Sequence, residues 1–475
     1  MPELQFAVGN EGRPTYGLPT TRAVNVYVEA TPAGPKQAAR ISRPGLTLWN
    51  SIGLGPILRI YQNPGIFGGD PFIVSQGQFY RSTTLLGTIP YSNQPRMAAS
   101  IEQLALVVGG SLYVYDGTNF TLVEFFDDGE STLPAFSGVA ILNNIFIFPV
   151  AGTTQYFWSK PGDATSINAL NFASATTTPD PIIEVCTLSD ELYFLKQANG
   201  TEIWDYNPII DPTSGQITQP FQLSQGRTWI RGTPAQGSVV PKIDNAIIWV
   251  GDDLEVYRSG FVPEKISTPF IDDRLRAAKD TIDQTLCFSA GIEGHWLYVL
   301  NLPVLGESYA YDCATKQWAQ WGTQTQLQGR PGLFIGSCSA GQGASIYVGD
   351  HASSNVYLLD VANNTDNGLV RAVMCSAAIW VPSGTKRLNN VTLACVRGGG
   401  SETDNPIVWM NISYDGGRTF TSWIQGNLGF AGQYNFKSAW RNLGVIQQPG
   451  ALLTFAVFDT VPVIIEGGAF NVARP

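Results

Sequence analysis

Short runs of alternating apolar residues, paired across turns and returning roughly every 40–55 residues, predict an all-β chain built mainly as a β-propeller. Gly, Asn, Asp and Pro punctuate the runs as hairpins require, and the period of two excludes a helical solenoid. A turn-rich stretch over residues 363–368 then breaks the pattern and marks off a second β module. The expected organisation is an N-terminal arm over 1–50, a propeller over 51–365, and a β-sandwich-like module over 366–475. Seven blades are expected, with six as the alternative.

Phe72-Ile73-Val74-Ser75 pairs with Gln78-Phe79-Tyr80-Arg81 in the first unit, after the apolar strand Ile57-Leu58-Arg59-Ile60-Tyr61. Next, Gly109-Gly110 joins Leu104-Ala105-Leu106-Val107-Val108 to Leu112-Tyr113-Val114-Tyr115, a strong hairpin signal. The third unit sets Ile145-Phe146-Ile147-Phe148 against Gln155-Tyr156-Phe157-Trp158, and the fourth sets Leu192-Tyr193-Phe194-Leu195 against Glu202-Ile203-Trp204-Asp205-Tyr206. Ile247-Ile248-Trp249-Val250 with Leu254-Glu255-Val256-Tyr257 makes the fifth, and Leu297-Tyr298-Val299-Leu300 with Tyr309-Ala310-Tyr311 the sixth. The seventh, Ile346-Tyr347-Val348 with Val356-Tyr357-Leu358-Leu359, is short, which leaves six blades and a connecting hairpin open.

Between units five and six a helix is expected, with Thr268 as cap, Pro269 in the first turn, and Asp272 and Asp273 at its positive end. The arm offers the strand Val24-Asn25-Val26-Tyr27-Val28 and the turn Pro44-Gly45-Leu46, and is expected to return and pair with the C-terminal module. That module shows strands over 374–381, 390–396, 407–412, 452–458 and 461–465, enough for a compact sandwich.

Composition narrows the function classes. Of 475 residues 44% are hydrophobic and 11% aromatic, which supports a large core, while only 14% are charged. So little charge fits a surface covered by neighbouring subunits. The net charge of −10 argues against a protein that grips nucleic acid through phosphate contacts. The acid is unevenly placed. Residues 370–475 carry 8 Lys and Arg against 5 Asp and Glu, leaving 20 against 33 in the first 369. An acidic wall repels DNA and lets it slide. The six cysteines form no Cys-x-x-Cys pair and read as buried thiols, so neither a disulfide framework nor a zinc site is expected. The first residues lack the pattern of a signal peptide, and no apolar stretch is long enough to span a membrane. A cytoplasmic product is expected.

Catalytic constellations are sparse. The two histidines, His295 and His351, are read as a structural residue at a strand entrance and as an exposed turn residue. Two isolated histidines do not make a Ser-His-Asp triad or a His-based metal site. The acid pairs Asp127-Asp128, Asp252-Asp253 and Asp272-Asp273 are adjacent, so their side chains diverge. Gly398-Gly399-Gly400 lacks the Lys-Ser/Thr of a phosphate loop, and Gly65-Ile66-Phe67-Gly68-Gly69 is either an interaction loop or a blade hairpin. Arg96, Arg227, Arg231, Arg258 and Arg330 are scattered. No enzyme, cofactor or metal is expected.

The C-terminal module carries the most specific motif. In Ser413-Tyr414-Asp415-Gly416-Gly417-Arg418-Thr419-Phe420 the Ser413 and Asp415 side chains can satisfy turn N–H groups, Gly417 supplies positive φ, and Phe420 is expected to anchor the turn to a core beside Thr419. Gly432-Gln433-Tyr434 and Trp440-Arg441-Asn442-Leu443-Gly444 follow.

These residues, with two further sets, carry a resemblance. Asn25-Val26-Tyr27-Val28-Glu29 before Arg43-Pro44-Gly45-Leu46 forms one set. Gly294-His295-Trp296 leading to Pro303, then Tyr311-Asp312-Cys313-Ala314-Thr315-Lys316-Gln317-Trp318, forms the other. Over most of its length the chain resembles the packaged-DNA stabilisation proteins of short-tailed phages, the tail hub or nozzle proteins. The resemblance implies a non-catalytic virion tail component, assembled as a homohexameric ring beneath the portal and the tail adaptor. It would extend the DNA channel, retain packaged DNA and allow its ejection, with tail fibre or spike proteins as further partners and DNA passing without sequence specificity. Ser413, Asp415, Gly417, Thr419, Phe420, Trp440, Arg441 and Gly444 are then folding devices, and Arg418, Lys437 and Arg441 are candidate contacts to a partner or DNA. Asn442 departs from the family, where a second basic residue is common. The alternative is a carbohydrate-binding or glycan-degrading tail propeller.

Overall fold

Hairpin turns with left-handed backbone set the blades: Asn143-Asn144 and Asp244-Asn245 each place two consecutive residues at positive φ, the geometry that matches the twist of paired strands. The computed structural model describes residues 2–473 except 8, 14–17, 31–37, 93, 211, 213–216, 324–326, 328–330, 343–344, 382, 398–405, 431–432, 434–435 and 461. Arg330, Gly398, Gly399, Gly400, Gly432 and Tyr434 lie outside the described residues.

Six antiparallel four-stranded blades run in chain order from Ile57–Tyr61, the first strand of blade 1, to Gln317–Trp321, the fourth strand of blade 6. Each hairpin read from the sequence supplies the second and third strands of a blade. The long fourth strands of blades 3 and 4, Asp163–Ser174 and Ile217–Trp229, extend past their neighbours. Blade 7 takes three strands from Gly336–Gln342, Ser345–Asp350 and Asn355–Asp360. Its fourth is Gly45–Ser51, from the other end of the chain. This strand, which the sequence reading assigned almost wholly to the arm, supplies what the short seventh unit lacked.

The ring closes through side chains. Seven clusters of buried residues each fill the space between two adjacent blades, the last joining Ile57, Ile60 and Ile73 of blade 1 to Cys338 and Val356 of blade 7. That decides for seven blades. The helix Pro269–Ala277 wedges Ile271 and Leu275 between blades 5 and 6. Thr268 does not cap it through its hydroxyl; Ser267 Oγ and Lys265 Nζ instead bond the Asp272 carboxylate, at 2.6 and 2.7 Å.

Beyond blade 7 two sheets stack. One contains Thr385–Arg397, Val463–Ala473 and Lys437–Arg441, together with the arm strands Val26–Ala30 and Ala38–Ser42. The other contains Ala372–Trp380, Gly450–Phe458, Ile407–Ser413 and Ile424–Asn427. Leu388, Val391, Met410, Leu453, Phe455 and Ile465 are among the residues buried between them. The two-residue strand Ala23–Val24 pairs with Ala372–Trp380 on one side and with blade 6 on the other, so ten strands form one continuous sheet.

Candidate functional site

The residues of the first two motifs meet at the seam between propeller and module. Asn25 is buried with φ 55°, which breaks the arm strand and turns its side chain inward. Its Nδ2 donates to the carbonyls of Gly322 (2.9 Å) and Ala372 (2.8 Å), while Oδ1 accepts from Gly322 N (3.0 Å) and Arg43 Nε (2.8 Å). One amide thus ties blade 6, the module and the arm, with all four of its bonding positions used.

Arg43 continues the network. Its guanidinium donates to Asp366 Oδ1 at 3.0 Å and Oδ2 at 2.6 Å, and lies 4.6 Å from the ring centre of Phe334 and 5.3 Å from that of Trp321. Arg371 reaches the same carboxylate at 2.9 Å and also bonds Asn364 and the Arg43 carbonyl. All three ions are essentially inaccessible to water. Burial pushes the Asp366 carboxyl up, but the two guanidinium groups outweigh it and hold the pKa below the ordinary value. Gly45, next to this cluster, has no room for a Cβ, which would stand 2.5 Å from the Thr365 carbonyl oxygen.

A second cluster joins the arm to blade 6. His295 Nδ1 lies 2.8 Å from Asp312 and Nε2 lies 2.6 Å from Glu29, while Tyr27 donates to Glu293 at 3.3 Å. Burial pushes the imidazole pKa down, yet the two carboxylates outweigh it and raise it overall. Asp312 also accepts from Ala314 N and the Thr315 hydroxyl, and Trp318 Nε1 bonds the Ile266 carbonyl at 2.8 Å. His351, read as exposed, is half-buried and bonds the Ile335 carbonyl at 2.8 Å.

In the module, Ser413 Oγ donates to Asp415 and accepts from Gly417 N, both at 2.7 Å. Asp415 also accepts from the backbone N–H groups of Arg418 and Thr419 and from the Thr419 hydroxyl, which depresses its pKa strongly. Its oxygens are occupied by its own loop. Phe420 is exposed and does not anchor the turn. Tyr414 does so instead, its hydroxyl donating to the Leu443 carbonyl beside Gly444, whose φ is 89°. This brings the box against the Trp440 to Gly444 run. Trp440 is buried and packs on Phe455, with ring centres 5.6 Å apart. Lys437 and Arg441 share the solvent-facing side of one strand, and Arg418 is exposed on the box loop. The sequence reading missed Arg43 as an ion, Asp366 and Arg371. Their only local signal was a charge beside a Pro-Gly turn and another inside an apolar strand.

Among the described residues no group of His, Cys, Asp and Glu is placed to hold a metal ion, and no helix is long and apolar enough to cross a membrane. The fold and seam define a seven-bladed β-propeller locked to a β-sandwich. Residues 9–364 match the family model described as "Bacteriophage P22 Gp10, beta-propeller", and the chain belongs to this family of phage structural proteins. No curated protein matches it in sequence. Among solved structures, the computationally designed Ika8 protein is 12% identical at TM-score 0.38, covering 75% of this chain and 99% of its own. BamB from Moraxella catarrhalis is 9% identical at TM-score 0.37, over 72% and 99%. BBS1N in complex with ARL6DN is 10% identical at TM-score 0.39, over 67% and 97%. Likeness at this level identifies neither partner nor activity.

Proposed function

We propose that the protein is a non-enzymatic tail hub or nozzle subunit. In this reading six copies ring the tail axis below the portal and adaptor, extend the DNA channel, and hold packaged DNA until ejection. Membership of the P22 Gp10 propeller family over residues 9–364 is the observation that carries this reading. Two features support it. The buried ions and the shared ten-stranded sheet make propeller and module one unit, as a ring element that carries force needs. Exposed apolar side chains on blades 3 to 5, among them Leu170, Ile210, Ile230, Phe261 and Val262, are candidate contacts for a neighbouring copy.

DNA would pass between copies rather than through a propeller. Near the propeller axis Arg96 of blade 2 bonds Glu184 of blade 4 and the Gln236 carbonyl, which obstructs the central hole. Cryo-electron microscopy of virions tests the assignment. Six copies around the channel below the portal are expected; a lone peripheral appendage would overturn it. Lys437, Arg441 and Arg418 are proposed to face the adaptor or DNA, and reversing all three charges should weaken tail assembly. Normal assembly would remove that role.

A further inference from the structure

The first strands of blades 1 to 5 enclose a cavity of about 210 Å³ on the propeller axis, lined by Arg59, Arg96, Glu184, Cys186 and Lys242 among others. Its charges do not balance. Arg96 is spent on Glu184, both buried. The half-buried Arg59 guanidinium makes no hydrogen bond or ion pair among the described residues, and neither does the Lys242 ammonium. Burial first, then the nearby Arg96, lower the Arg59 pKa to about 10, and Glu184, already bonded to Arg96, offsets only part of this. A cation held in a cavity without a bonded counter-ion of its own is relieved by a bound anion, and a planar guanidinium suits the paired oxygens of phosphate.

We propose that this axial cavity is a binding site for a small oxyanion of the phosphate class. Arg59 is its main ligand, and Lys242 and Arg96 supply further positive charge. The volume decides the size of ligand. Pockets for cofactor-sized molecules span roughly 300–1,000 Å³, so this one fits an ion with a few waters rather than a nucleotide. An anion there would link blades 1, 2 and 5 and brace the ring from its centre. Nothing in this site depends on where the protein sits in the virion.

Isothermal titration of the full chain with inorganic phosphate, at constant ionic strength set by sodium chloride, tests the proposal. Saturable binding of one ion per chain is expected, with a phosphate-dependent rise in Tm. Arg59→Gln should weaken binding about 10–100-fold, the loss of a charge-assisted pair. Lys242→Gln, at an exposed side chain, should fold normally and weaken it about two- to fivefold. Absence of saturable binding, or binding that Lys242→Gln and Arg59→Gln leave unchanged, would overturn the site. If Arg59→Gln does not fold, the wild-type titration and Lys242→Gln decide alone.

Discussion

Replacing Asp366 by Asn removes the carboxylate shared by two buried guanidinium groups while keeping shape. Arg43 and Arg371 then face each other across an uncharged amide, and breaking a buried ion pair in this way costs about 3–5 kcal/mol. With a melting entropy of roughly 2.1 cal/mol/K per residue, a chain of 475 residues unfolding as one unit has about 1.0 kcal/mol/K. The melting temperature should then fall by about 3–5 °C. Should a module of roughly 100 residues unfold alone, its entropy is about 0.2 kcal/mol/K and the drop roughly 15–25 °C. Calorimetry therefore measures both the seam's strength and whether it couples the two parts. The depressed Asp366 carboxyl contributes its stability above the unfolded value of about 3.9 and loses it as pH falls through the folded value. The deficit should accordingly stay constant from pH 5 to 8. Asp273→Asn, which breaks an exposed pair with Arg276, is the control and should shift Tm by under about 1 °C. A Asp366→Asn variant melting within about 1 °C of wild type would refute the reasoning.

Three further outcomes are expected. His295→Gln should lose stability at acid pH relative to wild type. The raised imidazole pKa makes its contribution full below about 6.5, and rising pH removes it as the folded pKa is passed, so the two melting curves should converge towards alkaline pH. Gly45→Ala forces a Cβ against the Asn363 and Thr365 carbonyls and should cost about 1–3 kcal/mol in urea unfolding. Asp415→Ala should speed amide exchange at Arg418 and Thr419, whose N–H groups it accepts, with little change in Tm; unchanged exchange would show that the carboxylate does not hold the loop.

The middle hairpins were legible because alternation and turn chemistry are local. Leu104 to Tyr115 announces two strands and their turn within a dozen positions. Ring closure is not local: nothing near Gly45–Ser51 says that its partner is Asn355–Asp360. The seam was half legible. Asn25, Tyr27, Glu29, His295 and Asp312 stood in motifs, but their contacts cross the chain, and a lone His or Asn does not name its partner. Arg43, Asp366 and Arg371 look like ordinary surface charges until folding brings them within 3.0 Å. Phe420 misled because the same loop offers two aromatics, both exposed, and of these Tyr414 has the hydroxyl that bonds the Leu443 carbonyl. The short strands Ile424–Asn427 and Val445–Gln447 were missed because neither is long enough to show a period.

Synthesis on the ribosome gives the seventh blade a timetable. Ser51 bonds Asn355, 304 positions later. At ~5–20 residues per second, the closing strand emerges roughly 15–60 s before its partner exists. During that wait six blades are able to form as an open arc with a bare edge at each end, and the unpaired strand is free to meet other nascent chains. Copies of this protein made side by side on one message therefore face a choice between closing on themselves and closing on each other, and that competition is settled by how soon the last hairpin appears.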